Sequence, residues 1–447
     1  MQNIQLTKGN ILYALSALAF PIMATSFMQM AYNLTDMFWI GKLGSNAVAS
    51  VGAAGMYMWF SNGLISIARM GGQVKSAHAL GANNKEEAGT YASSSILIAI
   101  IMAIGFAIVV LLGSKYFIDF FNFDSIKVAK DAQNYLLITC TLLIFSYLNQ
   151  VFSSLFAACG NSSSAFIANG IGLIMNIILD PLFIFGFAFI PSMNVVGASI
   201  ATVFSQAFVT LIFLIMIQKE KELFPYVSIK KGFCFPKIKE ILKIGAPVGL
   251  QSMLFSSISM MVSRLVSGFG ALAIAVQKLG SQIESISWMS GDGFAAALNS
   301  FTAQNVGAKQ KERVQSGFKI ALGIMLVWGI FTSLLLFFGS ETLFKIFLSE
   351  KEAILLGIDY LQILALSQLF MCLEITVTGF LNGMGVTLPS AIVSITFNLM
   401  RIPLAIFLIP YYGLNGIWWA ITISSIFKGI IIYLYYFVNK KKLLEKI

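Results

Sequence analysis

The chain has 447 residues, of which 58% are hydrophobic and only 11% charged, and its mean hydropathy is +0.84. That is more apolar surface than a soluble core can hide, so the chain reads as an all-α polytopic membrane protein. The formal net charge of +10 comes from dispersed lysines that suit an anionic lipid bilayer; no basic run has nucleic-acid spacing, and no nucleic-acid partner is expected.

In chain order, the N-terminal MQNIQLTKGN is short and polar. The apolar run after it is too long for a cleaved signal, so it should stay attached. Candidate spans follow near 11–36, 45–69, 90–113, 133–158, 164–189 and 194–217, then 241–265, 271–300, 316–339, 354–383, 388–409 and 414–438. Each has about 20 residues or more, enough to cross about 30 Å of hydrocarbon as a helix. The expectation is twelve transmembrane helices. The run at 271–300 is interrupted by Lys278, Glu284 and Asp292, and Asp292 between Gly291 and Gly293 suggests a helix break or a polar cavity wall.

Lysine and arginine collect after the second span (Lys75, Lys85), around the central connection (Lys219 to Lys243), after the eighth span (Lys309, Lys311, Arg313) and at the C-terminus (Lys440, Lys441, Lys442). These segments share one face if every span crosses, which puts both termini in the cytoplasm and the chain in the cytoplasmic membrane. The connection at 218–240, with Pro225 and Pro236, reads as a solvated tether. Cys140, Cys159, Cys234 and Cys372 have no metal-ligand spacing and should be free thiols. With only His78 and no HExxH pattern, an intramembrane enzyme is not expected.

The chain repeats itself. AFPIMATSFMQ set against GAPVGLQSMLF pairs Pro21 with Pro247 at an offset of 226, and the same offset pairs Gly44 with Gly270, Gly81 with Gly307 and Lys85 with Lys311. Further on, NIILDP matches NLMRIP, pairing Asn176 with Asn398, and Gly197 pairs with Gly416. This divides the chain into an N-lobe at 1–217, the connection at 218–240 and a C-lobe at 241–447. Six spans per half give the copies one orientation and a pseudo-two-fold axis along the membrane normal.

Two acids stand out. Asp36 ends the first apolar run and Asp180 lies inside NIILDPLFIF; a carboxylate near a bilayer centre costs roughly 2.5–3.5 kcal/mol on insertion scales and usually faces a cavity, a partner or an ion. Their repeat counterparts are Val262 and Ile402, so any chemistry of these acids belongs to one half. Tyr32 lies four residues before Asp36, and Asn176 four before Asp180, so each pair shares a helix face. The oxygens make a plausible proton or hard-cation site, while Tyr32 and Asn176 could equally be glue between helices. Pro181 and Pro21 can bend their helices, as a switch or as fixed kinks.

Other intramembrane polar groups are candidates for a substrate cleft. Glu284, with Gln277 and Lys278 before it, and Glu374 could contact a cationic substrate; alternatively Glu284 pairs with Lys278, and Glu374 with Arg401 or Arg264, as structural neutralisation. Met23, Phe27 and Met30 form a stripe on the first helix that could reach such a cleft.

Together, NLTDMFWIGKLG, the duplicated LGANNKEEA and VGAKQKERV loops, and NIILDP resemble the multidrug and toxic compound extrusion (MATE) transporters over essentially the whole chain. The resemblance implies two six-helix bundles that export organic, often cationic, compounds in exchange for inward H⁺ or Na⁺, with no other cofactor. It implies a coupling site at Tyr32, Asp36, Asn176, Asp180 and Thr202, with Asp36, Asn176 and Asp180 as metal ligands if the ion is Na⁺. One branch would place a glutamate where this chain has Phe255, so the resemblance is to the DNA-damage-inducible branch. The chain is expected to act as a monomer on small organic molecules. A flippase for a lipid-linked precursor, the rival transport reading, would need a strongly basic cavity between the lobes. Nothing resembles the filter loop of a channel.

Overall fold

The computed structural model describes residues 4–121, 123, 125–187, 191–348, 350–445 and 447. Its regular elements are all helical: α1 Ile11–Gly41, α2 Ser45–Gly81, α3 Lys85–Asp119, α4 Ile126–Thr141, α5 Ile144–Ala158, α6 Ser162–Phe185, α7 Asn194–Ile217, a 3₁₀ turn Phe224–Tyr226, α8 Ile229–Gly232, α9 Phe235–Ser267, α10 Ala271–Gly307, α11 Lys311–Phe338, α12 Ser340–Lys345, α13 Lys351–Gly383, α14 Leu388–Tyr412 and α15 Leu414–Leu444. Among the described residues nine of these are long and apolar enough to cross a membrane, and α4 with α5 make a tenth as one span bent by 47°. The remaining two of the twelve expected spans are α2 and α10, 37 residues each and diluted by Gly, Ser and Gln. The α4–α5 bend has a local cause: Thr139 Oγ1 donates back to Tyr135 O at 2.7 Å and Thr141 Oγ1 to Leu137 O. Such back-bonding competes with the helical ladder just where it stops. α10 runs unbroken through Gly291, Asp292 and Gly293, so the expected helix break is absent.

The repeat is written into the backbone. Gly44 and Gly270 have φ of 101° and 96°, Gly160 and Gly385 have 78° and 74°, and the non-glycines Asn83 and Lys309 have 57° and 56°. A left-handed non-glycine residue is uncommon, and two of them stand at the offset of 226 read from the sequence.

Two compact units form. One comprises Ala24–Gly249 with Ile4, the other Gln5–Met23 and Leu250–Ile447. They depart from the expected lobes in two half-helices, since α1 changes unit after Met23 and α9 after Gly249, again at an offset of 226. Packing explains the assignment. In the second unit Arg313 donates to the carbonyls of Leu6, Lys8 and Gly9 at 3.1, 2.8 and 2.7 Å, and Asn305 Nδ2 to Leu6 O at 3.1 Å. In the first, Gly245 of α9 sits so close to α2 that a Cβ there would lie 1.9 Å from Ile67 O.

The connection at 218–240 is not a solvated tether. The buried Glu220 accepts the N–H groups of Glu222, Leu223 and Phe224 at 2.8, 2.9 and 3.1 Å, and Leu223 and Phe224 enter the core of the first unit. Ion pairs Lys85–Glu222, Lys231–Glu86 and Lys75–Glu240, each at 2.5 Å, and Lys237–Glu87 strap it to α2 and α3. Single exposed pairs are worth little; here four act beside a buried cap. Cys140, Cys159, Cys234 and Cys372 are unpaired.

Candidate functional site

In the first unit the helical spacing places Tyr32 and Asp36 on one face of α1, and Asn176 and Asp180 on one face of α6. Asn176 Nδ2 donates to Asp180 Oδ1 at 3.0 Å, and both side chains are fully buried. With its N–H₂ so used, Asn176 keeps its carbonyl oxygen for another partner. Asp36 lies within electrostatic reach of Asp180, and Tyr32 within reach of both acids. Thr202 on α7 faces the Tyr32 hydroxyl. Tyr32 Oη, Asp36 Oδ1, Asn176 Oδ1, Asp180 Oδ2 and Thr202 Oγ1 are all buried, and none has a hydrogen-bond partner among the described residues.

Unpartnered buried oxygens also occur elsewhere, Asn398 Oδ1 of the second unit among them; what sets these five apart is that they come from three helices to surround two carboxylates, where buried polar groups are normally paired. The set contains two carboxylates and neutral amide, phenol and hydroxyl groups; it holds no sulfur or imidazole, and among the described residues no three His, Cys, Asp or Glu cluster. Such a set suits a proton shared between carboxylates or a small hard cation. All five sequence-predicted coupling residues are thus brought together.

Tyr135 joins them unpredicted. It is buried on α4 and lies near Asp36, Tyr32, Asp180 and Thr202. Its repeat counterpart at an offset of 225 is another tyrosine, Tyr360, the one signal that could have singled it out.

Beside the acids runs a narrow cleft with about 20 Å³ of free space, room for roughly one water, lined by Thr25, Met28, Gln29, Tyr32, Asn169, Gly172, Leu173, Gln206 and Val209. Met23, Phe27 and Met30 are on other faces of α1 and do not line it; Met23 packs against Gly293 in the second unit. Asn149 on α5 donates to Gln206 Oε1 at 2.9 Å and accepts from Thr210 at 2.8 Å, which fixes the polar wall. Pro21 and Pro181 lie inside continuous helices.

The second unit has no such site at the corresponding place. Val262 is core, packed with Ile258 and Val266, and Ile402 packs against that core. Its polar residues form a separate network, buried at Gln368, Glu374 and Lys428 and half-buried at Gln277, Glu284 and Arg401. Glu284 accepts from Gln368 Nε2 at 3.0 Å, with Arg401 within electrostatic reach, rather than pairing with Lys278. Glu374 pairs with Lys428 at 3.5 Å, not with Arg264; Arg401 is a neighbour held by Ser424 and Ser425 at 2.9 and 3.1 Å. Gln277 Oε1 is taken by Trp418 Nε1 at 3.1 Å. Phe255, where an acid was considered, lies 5.9 Å from the Arg401 guanidinium.

Comparison with known proteins bears on the repeat and the fold. A family model described as MatE matches residues 21–182 and 247–407, the two halves of the repeat. The chain is 28% identical over 95% of its length to a probable multidrug resistance protein NorM of Thermotoga maritima, covering 91% of that protein. It is 24% identical over 98% of its length to the multidrug export protein MepA of Staphylococcus saprophyticus, covering 98% of it. In fold it matches a multidrug resistance MATE family transporter of the MOP superfamily, solved in an outward-facing conformation, with a TM-score of 0.91 at 21% identity, covering 100% of this chain and 99% of that one.

Proposed function

The chain belongs to the MatE family, a family of transporters, and from that premise we propose a secondary active antiporter that exports organic, often cationic, compounds in exchange for H⁺ or Na⁺. The relatives' names, multidrug resistance and multidrug export, support the substrate class. The observation that carries the ion coupling is the set of five orphaned oxygens around Asp36 and Asp180.

The mechanism follows from electrostatics. Two carboxylates within reach of each other in a buried site repel, so the pair gains by taking up one proton or one small cation between them. Asn176 holds Asp180 at a fixed rotamer, leaving Asp36, Tyr32, Tyr135 and Thr202 to close around the ion. Substrate and ion need not touch; each need only prefer a different conformation. For a neutral substrate, one inward charge moving through 100 mV releases about 2.3 kcal/mol, enough for roughly a fiftyfold gradient; for an organic monocation a one-for-one exchange is electroneutral, and the ion's own gradient drives it at about 1.4 kcal/mol per tenfold. The lysine bias supports cytoplasmic termini in a cytoplasmic membrane, and the chain acts as a monomer.

The test is efflux of a fluorescent organic cation from proteoliposomes under an imposed pH gradient or an imposed Na⁺ gradient. Acceleration by one of them identifies the coupling ion. Equal rates with and without either gradient would overturn the antiport reading.

A further inference from the structure

The second unit carries an ion pair where the first carries neutral groups. α5 and the C-terminal part of α13 correspond at an offset of 225, fixed by the left-handed Gly160 and Gly385 and by matching terminal hydrogen bonds, Asn161 N to Phe156 O and Val386 N to Leu381 O. α7 and α15 correspond at 219, through Gly197 and Gly416. These offsets pair Asn149 with Glu374 and Val209 with Lys428. In the first unit Asn149 is satisfied by the amide and hydroxyl of Gln206 and Thr210. The fold therefore holds this junction without charge.

The pair is also a poor strut. Its side chains are 9% and 10% exposed, yet the ammonium stands 3.5 Å from the carboxylate, against about 2.7–2.9 Å for a tight charge-assisted bond. Lys428 is fourteen residues from the start of α15 and sixteen from its end, about 20 Å from either at helical rise, too far for the ammonium to reach either helix end by snorkelling. The charged groups around it are Glu374 on α13, Arg401 on α14 and Asp292 on α10; Arg401 also faces Glu284.

We infer that Lys428 is a built-in cation that occupies the Glu374 carboxylate, so that this acid takes up no coupling ion. The buried Lys428 and the half-buried Arg401 face Glu374 and Glu284, while the third acid nearby, Asp292, is exposed. Without Lys428, Arg401 can balance only one of these acids, and the other must recruit a proton or a monovalent cation. The consequence for transport rests on the antiport reading; the occupancy of Glu374 does not, and it is tested by binding rather than by flux.

Full-length wild type, Lys428→Met and Lys428→Met/Glu374→Gln are purified and compared in difference infrared spectra, for the band of a protonated carboxyl group, and in Na⁺ titrations read by thermal stability. Lys428→Met is expected to gain one bound cation per chain, seen as a new protonated carboxyl or a new Na⁺-dependent stabilisation, and the double variant to lose that gain. Equal cation binding by wild type and folded Lys428→Met overturns the inference. If Lys428→Met does not fold, Lys428→Ala is expressed and solubilised with n-propylammonium or n-propanol. Recovery of folded protein with the ammonium alone supports a cation site; recovery with both or with neither overturns it.

Discussion

Asp180→Asn separates the electrostatic role of the site from its structural one. In the wild type Asn176 Nδ2 donates to Asp180 Oδ1 at 3.0 Å with both residues at 0% exposure. An asparagine at 180 keeps an oxygen in that place, so a charge-assisted bond of about 1.5–3 kcal/mol becomes a neutral one of about 0.5–1.5 kcal/mol. The loss of about 1 kcal/mol is offset because a buried charge no longer has to be desolvated. Stability should change by less than about 1 kcal/mol, whereas Asn176→Leu, which strips the carboxylate of its donor, should cost about 1–3 kcal/mol. Coupling should behave in the opposite way. A pH difference of one unit is worth about 1.4 kcal/mol, a tenfold substrate gradient, and Asp180→Asn should forfeit it. Thermal unfolding in detergent reports the first quantity, and steady-state substrate accumulation in proteoliposomes the second. A folded Asp180→Asn protein that still builds a tenfold gradient, or one destabilised by more than about 3 kcal/mol, would refute the reasoning.

Three further outcomes follow from the packing. Glu220→Ala removes the acceptor of three N–H groups beside a buried Leu223 and Phe224; it should lower stability by about 3 kcal/mol, seen as a lower unfolding temperature and faster proteolysis within 218–240. Gly245→Ala drives a Cβ against the Ile67 carbonyl and should cost about 1–3 kcal/mol by overpacking, whereas Gly323→Ala, with nothing within 4 Å of its Cβ, should be neutral or stabilising in the same assay. Thr202→Val should weaken the ion dependence of transport by about tenfold and Thr202→Ser should not, measured as the half-saturating ion concentration for efflux.

Much of this was legible in the sequence because it depends on local spacing. Apolar runs give helices, the fixed offset gives a duplicated backbone with matched left-handed residues, and intramembrane acids mark a candidate site. The orphaned oxygens gather where Tyr32, Asp36, Asn176, Asp180 and Thr202 were expected. What stayed hidden depends on tertiary packing. That α1 and α9 each change unit midway is set by which neighbours their halves pack against, and each reads in the sequence as one apolar span. Tyr135 is one of 14 tyrosines and acquires meaning only when α4 packs beside α7. Lys428 lies on another helix, 54 residues from Glu374, and no local spacing pairs the two. The connection at 218–240 looked solvated because of its lysines; its acids Glu220, Glu222 and Glu240, and two of those lysines, Lys231 and Lys237, tie it down, the ion pairs through partners far away in sequence.

The central claim is that substrate and coupling ion are linked through the carboxylates of the first unit. The most direct measurement adds a transported organic cation to purified full-length protein and counts the H⁺ or Na⁺ released, in wild type and in Asp36→Asn. The account expects release from wild type and none from Asp36→Asn, with substrate still binding to both. Equal ion release from the two proteins would contradict it.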